Sequence, residues 1–205
     1  MIDLPLSEPA VVVLAGAAGS GKSTWAAARF RAAEIVSSDQ LRAVVGSGPA
    51  DLEATEEAFG LLDQIVAART RRGLTVVIDT LGLDPDRRHD YLRMARAARL
   101  PAVLVIMDTP PAVCRRRNRE RDRPVPAPVI TEQLRRTRRL VAEVPDEGWH
   151  QVLVIEQPDD PEQAPAGIPG PVRPGRPERD GPQIILHVSR FPWGEDATGW
   201  LADLA

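Results

Sequence analysis

Hydrophobic residues in this chain fall into five short runs that show no polar alternation, and longer segments of helical periodicity separate them. The runs occupy residues 10–15, 34–37, 74–79, 102–107 and 152–155. A run without alternation is typical of a strand that is buried on both faces of a parallel sheet. Strands that alternate with helices predict an α/β, doubly wound fold with a five-stranded parallel sheet.

The helices are predicted from their apolar spacing and from residues that commonly start or end a helix. Apolar residues recur at helical spacing over 54–66, and Gly73 then ends that helix. Another helix is expected to start at Asp84 and to end before Pro101. The N-caps that we expect are Asp51, Thr109 and Thr131, with Pro110 in the first helical position after Thr109.

The first strand leads directly into a glycine-rich segment at 16–24, which reads Gly-Ala-Ala-Gly-Ser-Gly-Lys-Ser-Thr. A glycine, four residues and then Gly-Lys-Ser form the spacing of a P-loop, in which backbone N–H groups surround the phosphates of a nucleoside triphosphate. Lys22 supplies a charge to the β and γ phosphates, and the Ser23 hydroxyl is a ligand for Mg²⁺. The predicted nucleotide-binding residues are Gly16, Gly19, Ser20, Gly21, Lys22, Ser23 and Thr24.

Composition singles out the lysine of this loop. Of the 26 basic residues, Lys22 is the only lysine, and the remaining 25 are arginines. Because this bias towards arginine holds everywhere else, the lysine marks a position that requires a compact ammonium rather than a planar guanidinium.

Carboxylates follow two further strands at the edge where α/β sheets bind ligands. Asp39 follows the second strand, and Arg42 lies one turn away if a helix starts there. A structural alternative is that Asp39 is an N-cap and Arg42 its surface ion-pair partner. Asp79 closes the third strand and is a Walker B candidate that can orient water or Ser23 around the metal. We assign Arg42 and Asp79 to the substrate-binding side of the crevice.

An arginine-rich segment at 114–123 is predicted to be helical. Six arginines fall within nine of its residues, and this density favours a mobile helical lid that closes over the triphosphate. The alternative for any single arginine is a solvated helix face, as expected for most arginines of the helix that starts at Asp84. Cys114 is predicted to be an ordinary half-buried residue, and His89 and His150 lack partners at metal-ligand spacing.

Charge and hydropathy exclude several classes of protein. A formal net charge of −3 argues against a surface that coats nucleic acid broadly, although a local basic patch is compatible with an acidic total. The single cysteine excludes an internal disulfide. Since no apolar run reaches the roughly 18 residues of a membrane span, we expect a cytoplasmic protein with no membrane partner.

The chain is predicted to contain a P-loop domain at 1–157, a linker at 158–182 and a terminal segment at 183–205. The linker is dense in Pro, Gly and charged residues. A strand is predicted at 183–188 and an amphipathic helix at 196–204. Because this terminal segment is too small to fold alone, we expect it to dock on its own domain, on a second copy in a homo-oligomer, or on another protein.

The segments at 19–25, 37–42 and 117–121 together resemble the polynucleotide 5′-kinase branch of P-loop kinases. The resemblance is to the kinase domain of bacterial RNA-repair polynucleotide kinase-phosphatases in particular, and it extends over about residues 10–156. It implies that Asp39 is the general base for the 5′-hydroxyl and that Arg42 contacts the 3′ phosphate of the terminal nucleotide.

The same resemblance implies catalytic roles at the donor phosphates for Lys22, Arg119 and Arg123. One departure from the family pattern follows the third strand. Many relatives read Asp-x-Thr-Asn there, whereas residues 79–82 of this chain read Asp-Thr-Leu-Gly. The polar contacts that Thr and Asn make in those relatives are therefore missing.

The leading hypothesis is a phosphotransferase that uses ATP or GTP and acts on the 5′-OH of a nucleic acid, either DNA or RNA. A rival is a kinase of a small metabolite or an antibiotic. A third hypothesis, from another class, is a nucleotide-binding switch that controls a partner held by the C-terminal segment. The sequence does not distinguish ATP from GTP as the donor.

Overall fold

The apolar runs form parallel strands of one sheet in the computed structural model, which describes residues 9–156 and 185–189. These strands are β1 Val11–Ala15, β2 Ile35–Ser37, β3 Val76–Asp79, β4 Ala102–Asp108 and β5 Gln151–Glu156. All five residues of β1 are 0% exposed, as expected of a strand that is covered on both faces. The predicted α/β fold is confirmed.

A further strand, β6 (Ile185–Ser189), pairs in parallel with β5. Over the described residues, the sheet therefore has six strands in the order β2-β3-β1-β4-β5-β6. The strand predicted at 183–188 is thus a member of the same sheet as the P-loop strand. The linker predicted at 158–182 and the helix predicted at 196–204 lie outside the described residues, so the proposed domain limits stay a prediction.

Helices occupy the connections between consecutive strands from β1 to β5. They are α1 Lys22–Ala27, α2 Ser38–Val45, α3 Thr55–Arg71, α4 Pro85–Ala98, α5 Pro111–Arg119 and α6 Ala127–Glu143. Short 3₁₀ turns lie at Ala32–Glu34 and Val144–Asp146. Over the described stretches of chain, none of the helices has both the length and the apolar character that crossing a bilayer requires.

Local hydrogen bonds show which predicted helix starts are correct. Asp84 caps α4, because its carboxylate accepts hydrogen bonds from the backbone N–H groups of Asp86 and Arg87. Asp51 does not cap α3. Its carboxylate accepts hydrogen bonds from Ser47 in the preceding loop, and α3 begins only at Thr55.

Prolines, rather than threonines, begin α5 and α6. Pro110 occupies the N-cap of α5 and Pro126 that of α6, and a further proline lies in the first two positions of each helix. Thr131 lies inside α6, where its hydroxyl donates to the carbonyl oxygen of Ala127. A proline in the first turn loses no helical hydrogen bond, since N–H groups there have no helical partner. The N-cap predictions for Thr109 and Thr131 are therefore wrong.

Apolar layers cover both faces of the sheet. On one face, α3, α4 and α6 contribute Leu62, Leu92 and Leu140, which pack in one cluster with Val13 of β1. On the other face, α1 contributes the fully buried Trp25. Burial of each large apolar side chain contributes about 1.5–3 kcal/mol, so these layers hold the strands in register beneath the site.

Arg88 is buried and is therefore an exception among the arginines of α4, most of which are predicted to form a solvated face. It is 4% exposed, its Nε donates to Glu147 Oε2 at 2.9 Å, and its Nη1 donates to the carbonyl oxygen of Gly82 at 2.9 Å. Burial raises the pKa of Glu147, but the hydrogen bonds from Arg88 and Trp149 outweigh that effect and the pKa is lowered. Arg88 therefore joins α4 to the segment before β5 and to the loop after β3.

The loop after β3 presses on the end of β1. Gly82 has φ +62°, and a Cβ there would lie 2.2 Å from the carbonyl oxygen of Leu14 and 2.8 Å from the Cα of Ala15. The neighbouring carbonyl oxygen of Leu81 accepts a hydrogen bond from the N–H of Gly16 at 3.0 Å. The loop after β3 thus supports the first residue of the glycine-rich segment.

Arg88→Ala should lower the free energy of unfolding by about 3–5 kcal/mol, because Glu147 would remain as an unpaired buried charge. Arg93→Ala is the matched control, since Arg93 lies on the same helix and its ion pair with Asp90 is exposed. The control should lose less than about 1 kcal/mol. Chemical denaturation measures both losses. Equal losses would show that the buried Arg88 pair contributes no more to the free energy of unfolding than the exposed Arg93 pair does.

Candidate active site

The glycine-rich segment connects β1 to α1 and contributes to the lining of an open cavity. The cavity has a volume of about 360 Å³ and is lined by Gly19, Gly21, Lys22, Ser23, Thr24, Arg117 and Arg121. Gly19 has φ +79°, and a Cβ there would lie 2.7 Å from the carbonyl oxygen of Cys114. Glycine is therefore required at this position for both backbone conformation and space.

Lys22 lies at the bottom of this loop and is largely buried. Its Nζ donates hydrogen bonds to the carbonyl oxygens of Gly16 at 2.8 Å and Ala17 at 3.0 Å. Burial lowers its pKa to about 8, against the opposing charges of Asp79 and Asp39. The loop therefore contains an ammonium whose charged form is destabilised, and which the oxygens of a triphosphate would stabilise.

Ser23 and Asp79 meet at the carboxyl end of the sheet. The Ser23 hydroxyl donates to Asp79 Oδ2 at 2.8 Å. Burial raises the pKa of Asp79, whereas the hydrogen bond from Ser23 and the charge of Lys22 oppose that shift. Within the described residues, no cluster of three or more His, Cys, Asp or Glu side chains forms a metal cage. A hydroxyl beside one carboxylate fits Mg²⁺, which takes few protein ligands and keeps water and phosphate oxygens.

Asp39 lies in the first turn of α2, after Ser37 in the N-cap position, so it is not the N-cap of that helix. Its side chain is 64% exposed, and its Oδ1 accepts a hydrogen bond from Arg42 Nη1 at 2.5 Å. The ion pair expected from the structural alternative is therefore present, although the cap is not. Asp39 also lies close enough to act electrostatically on Lys22 and Asp79.

Arg42 is more buried than its partner, at 14% exposure of the side chain. Its Nη1 also donates to the carbonyl oxygen of Pro49 at 3.1 Å, which fixes the guanidinium against the loop before α3. The buried Nε of Arg42 has no hydrogen-bond partner in the part of the chain that the structure describes. A buried donor in this state is unfavourable and suits an incoming acceptor atom.

The arginines that line the cavity differ from those implied by the resemblance. Arg117 and Arg121 line it, whereas Arg119 and Arg123 do not. Within α5, a shift of two residues turns a side chain by about 200° around the axis, so Arg119 points away from the direction of Arg117. Arg121 and Arg123 both follow the end of this helix. Helix α5 ends at Arg119, so the predicted helix over 114–123 is also too long. Arg117 and Arg121 are therefore the arginines that line the cavity, and the donor-phosphate roles of Arg119 and Arg123 stay a prediction.

Two polar side chains hold the loop in place: Thr109, which the sequence analysis took for an N-cap, and Gln133, which it did not single out. The Thr109 hydroxyl donates to the carbonyl oxygen of Ser20 at 2.8 Å, and Gln133 Oε1 accepts from the N–H of Ala18 at 2.9 Å. The sequence did contain a signal for Gln133, because this polar residue lies on the apolar side of a predicted helix. Cys114 is completely buried beneath the loop, rather than half-buried as predicted.

Comparison with known proteins identifies relatives by sequence family and by fold. A family model described as an AAA domain matches residues 11–144. A provisionally assigned kinase from Chloroflexus aurantiacus superposes with a TM-score of 0.54 at 18% identity, over 77% of this chain and 92% of that one. A chain of the Pnkp1/Rnl/Hen1 RNA repair complex gives a TM-score of 0.56 at 20% identity, over 66% of this chain.

A chain of the AvrRxo1-ORF1:ORF2 complex gives a TM-score of 0.50 at 18% identity, over 68% of this chain. This chain spans about half the length of two of these relatives, covering 53% of the AvrRxo1 complex chain and 46% of the RNA repair complex chain. No curated protein matches the sequence. At these identities the structures show the fold, which is that of a P-loop kinase.

Nucleotide affinity should fall as pH rises through about 8, the pKa of Lys22 in the free protein. Bound phosphates raise that pKa, so the contribution of the lysine is complete below the free pKa and is lost progressively as pH rises from the free pKa to the higher pKa of the complex. Calorimetric titration with MgATP and MgGTP across this range measures the effect. Lys22→Met should bind the nucleotide weakly at every pH. If that variant kept the pH dependence of the wild type, a group other than Lys22 would be responsible for the dependence.

Proposed function

Because the chain belongs to the AAA domain family and has a P-loop kinase fold, we propose that it is a polynucleotide 5′-hydroxyl kinase. It transfers the γ-phosphate of ATP or GTP to the 5′-OH of RNA or DNA. The observation that carries the proposal is the position of Asp39. This carboxylate lies at the carboxyl edge of the sheet, near the donor cavity but outside its lining.

The position of Asp39 suits a general base. Burial is the main influence on the pKa values of Lys22 and Asp79, but the charge of Asp39 acts on both groups. An acceptor hydroxyl bound at Asp39 would therefore lie beside the γ-phosphate, on the side of β2. A carboxylate within hydrogen-bond reach of that hydroxyl can take its proton during attack.

In the proposed reaction, the acceptor oxygen attacks the γ-phosphorus while its proton moves to a carboxylate oxygen of Asp39. The bond between the γ-phosphorus and the β–γ bridging oxygen breaks, and the nucleoside diphosphate leaves. Lys22 stabilises the charge that develops on the phosphate oxygens, and Arg117 and Arg121, which also line the cavity, do so as well. When held beside Ser23, Mg²⁺ supplies further neutralisation of the β and γ oxygens.

The exposure of the acceptor side supports a large acceptor. Asp39 is 64% exposed, and Val44 and Leu52 in the following segment are 73% and 76% exposed. A kinase of a small metabolite needs this side enclosed in order to keep water from the reaction. The presence of one structural relative in an RNA repair complex also supports a nucleic-acid acceptor.

Arg42 provides the second feature that supports a polynucleotide. Its guanidinium is fixed by Asp39 and Pro49, and its buried Nε has no acceptor among the described residues. A phosphate next to the reacting 5′-OH would thus be bound within one helical turn of the base. An acceptor without that phosphate would leave the buried donor unsatisfied.

Asp39→Asn should lower phosphoryl transfer by at least about a hundredfold while MgATP affinity stays within about twofold, because the amide cannot accept a proton. Asp86→Asn is the matched control, since Asp86 occupies the first turn of α4 as Asp39 does that of α2. Single-turnover transfer measures the loss. Full activity in Asp39→Asn would exclude Asp39 as the general base and leave it only its ion pair with Arg42.

Radiolabelled γ-phosphate should be transferred to 5′-OH oligonucleotides, and the efficiency should fall as salt rises. Arg42→Ala should raise KM for a nucleoside 3′-phosphate by about tenfold or more, with little change in KM for the nucleotide. Arg135→Ala, which removes an exposed ion pair of the same spacing, is the control. Inert oligonucleotides would exclude the proposal. Transfer to a small hydroxyl compound would then support a metabolite kinase, and acceptor-independent hydrolysis would support a nucleotide switch.

A further inference from the structure

The tip of the P-loop is held from outside by the chain that follows β4, through Thr109 before α5, Arg117 of α5 and Gln133 of α6. Three consecutive residues take part. The N–H of Ala18 donates to Gln133 Oε1 at 2.9 Å, the carbonyl oxygen of Gly19 accepts from Arg117 Nη1 at 3.3 Å, and the carbonyl oxygen of Ser20 accepts from the Thr109 hydroxyl at 2.8 Å. The loop and the arginine-bearing helix α5 are therefore connected directly.

Gln133 differs from the other two contacts because it comes from α6 and binds an N–H group. It is 9% exposed and lies on the buried side of α6 between Ile130 and Leu134. These two apolar residues pack in one cluster with Ala17 of the loop and Cys114 of α5. A carboxamide within such a cluster is unfavourable unless it forms hydrogen bonds.

The N–H group of Ala18 explains why a polar side chain is needed there. Ala18 is 7% exposed and does not line the nucleotide cavity, so its N–H points to α6 rather than to the site of the phosphates. Without Gln133, this donor would be buried and unpaired. A rotation of the peptide that turned this N–H towards another acceptor would then lower the free energy of the loop. That rotation would displace the adjacent Gly19, which lines the cavity.

We infer that Gln133 is a positioning residue for nucleotide binding. It fixes the tip of the P-loop against α6, so that the loop N–H groups and the cavity arginines Arg117 and Arg121 converge on the same phosphates. The inference rests on the nucleotide-binding part of the proposed function and does not depend on the acceptor.

The test compares two substitutions at this position. Gln133→Met keeps the length of the side chain and removes its strong acceptor, whereas Gln133→Glu keeps an acceptor oxygen. We expect Gln133→Met to weaken the binding of MgATP by about five- to 150-fold, the range for an unpaired buried donor. Gln133→Glu should recover affinity to within about threefold of the wild type, measured by calorimetry at physiological salt.

A control separates positioning from general stability. Thr70→Val removes a buried hydrogen bond within α3, between the Thr70 hydroxyl and the carbonyl oxygen of Val66, far from the loop in the chain. It should lower the melting temperature of the nucleotide-free protein and leave MgATP affinity unchanged. Hydrogen exchange at the Ala18 N–H should be accelerated in Gln133→Met and remain slow in Thr70→Val.

The inference is overturned if Gln133→Met binds MgATP as the wild type does, or if it lowers affinity no more than Thr70→Val does. Equal losses in Gln133→Met and Gln133→Glu would also overturn it, because the acceptor oxygen would then be irrelevant. Failure of the wild type to bind any nucleotide is a separate result, and it would contradict the proposed function itself.

Discussion

The parallel register of β1, β3 and β2 determines where the chemically active side chains meet. Leu14 pairs with Asp79 on one side, and Ser37 pairs with Asp79 on the other. The P-loop, the buried carboxylate and the start of α2 are therefore brought to one edge of the sheet. A slip of one residue would turn Asp79 to the opposite face and away from Ser23. The apolar layers prevent that slip, since it would also expose their strand residues.

Burial of Lys22 makes this edge electrostatically unfavourable in the absence of an anion. The carbonyl oxygens of Gly16 and Ala17 and the charge of Asp79 offset only part of the lost hydration, as the lowered pKa shows. The same exclusion of water strengthens every interaction between the ammonium and a phosphate oxygen. Binding and catalysis thus use an environment that the fold establishes at a cost to its own stability.

The sequence predicted what depends on neighbouring residues and missed what depends on distant ones. Buried runs and the P-loop spacing are local, so the strands and the nucleotide-binding loop could be predicted. Thr109 and Gln133 contact residues 89 and 115 positions away, and locally such a threonine resembles an N-cap. The arginines that face the cavity depend on the rotation of α5 against the loop, which tertiary packing sets. Proline at two helix starts overrode the expected caps.

The close packing of Gly82 on β1 restricts how this chain can change over evolutionary time. The resemblance to polynucleotide kinases implies an asparagine at the position of Gly82 in many relatives, but a Cβ here would meet the carbonyl oxygen of Leu14 at 2.2 Å. Any single substitution that adds a Cβ at this position would push on the strand that leads into the P-loop. A larger residue becomes acceptable only after a shift of the loop backbone, whereas exposed positions such as Val44 and Leu52 can change independently of that loop.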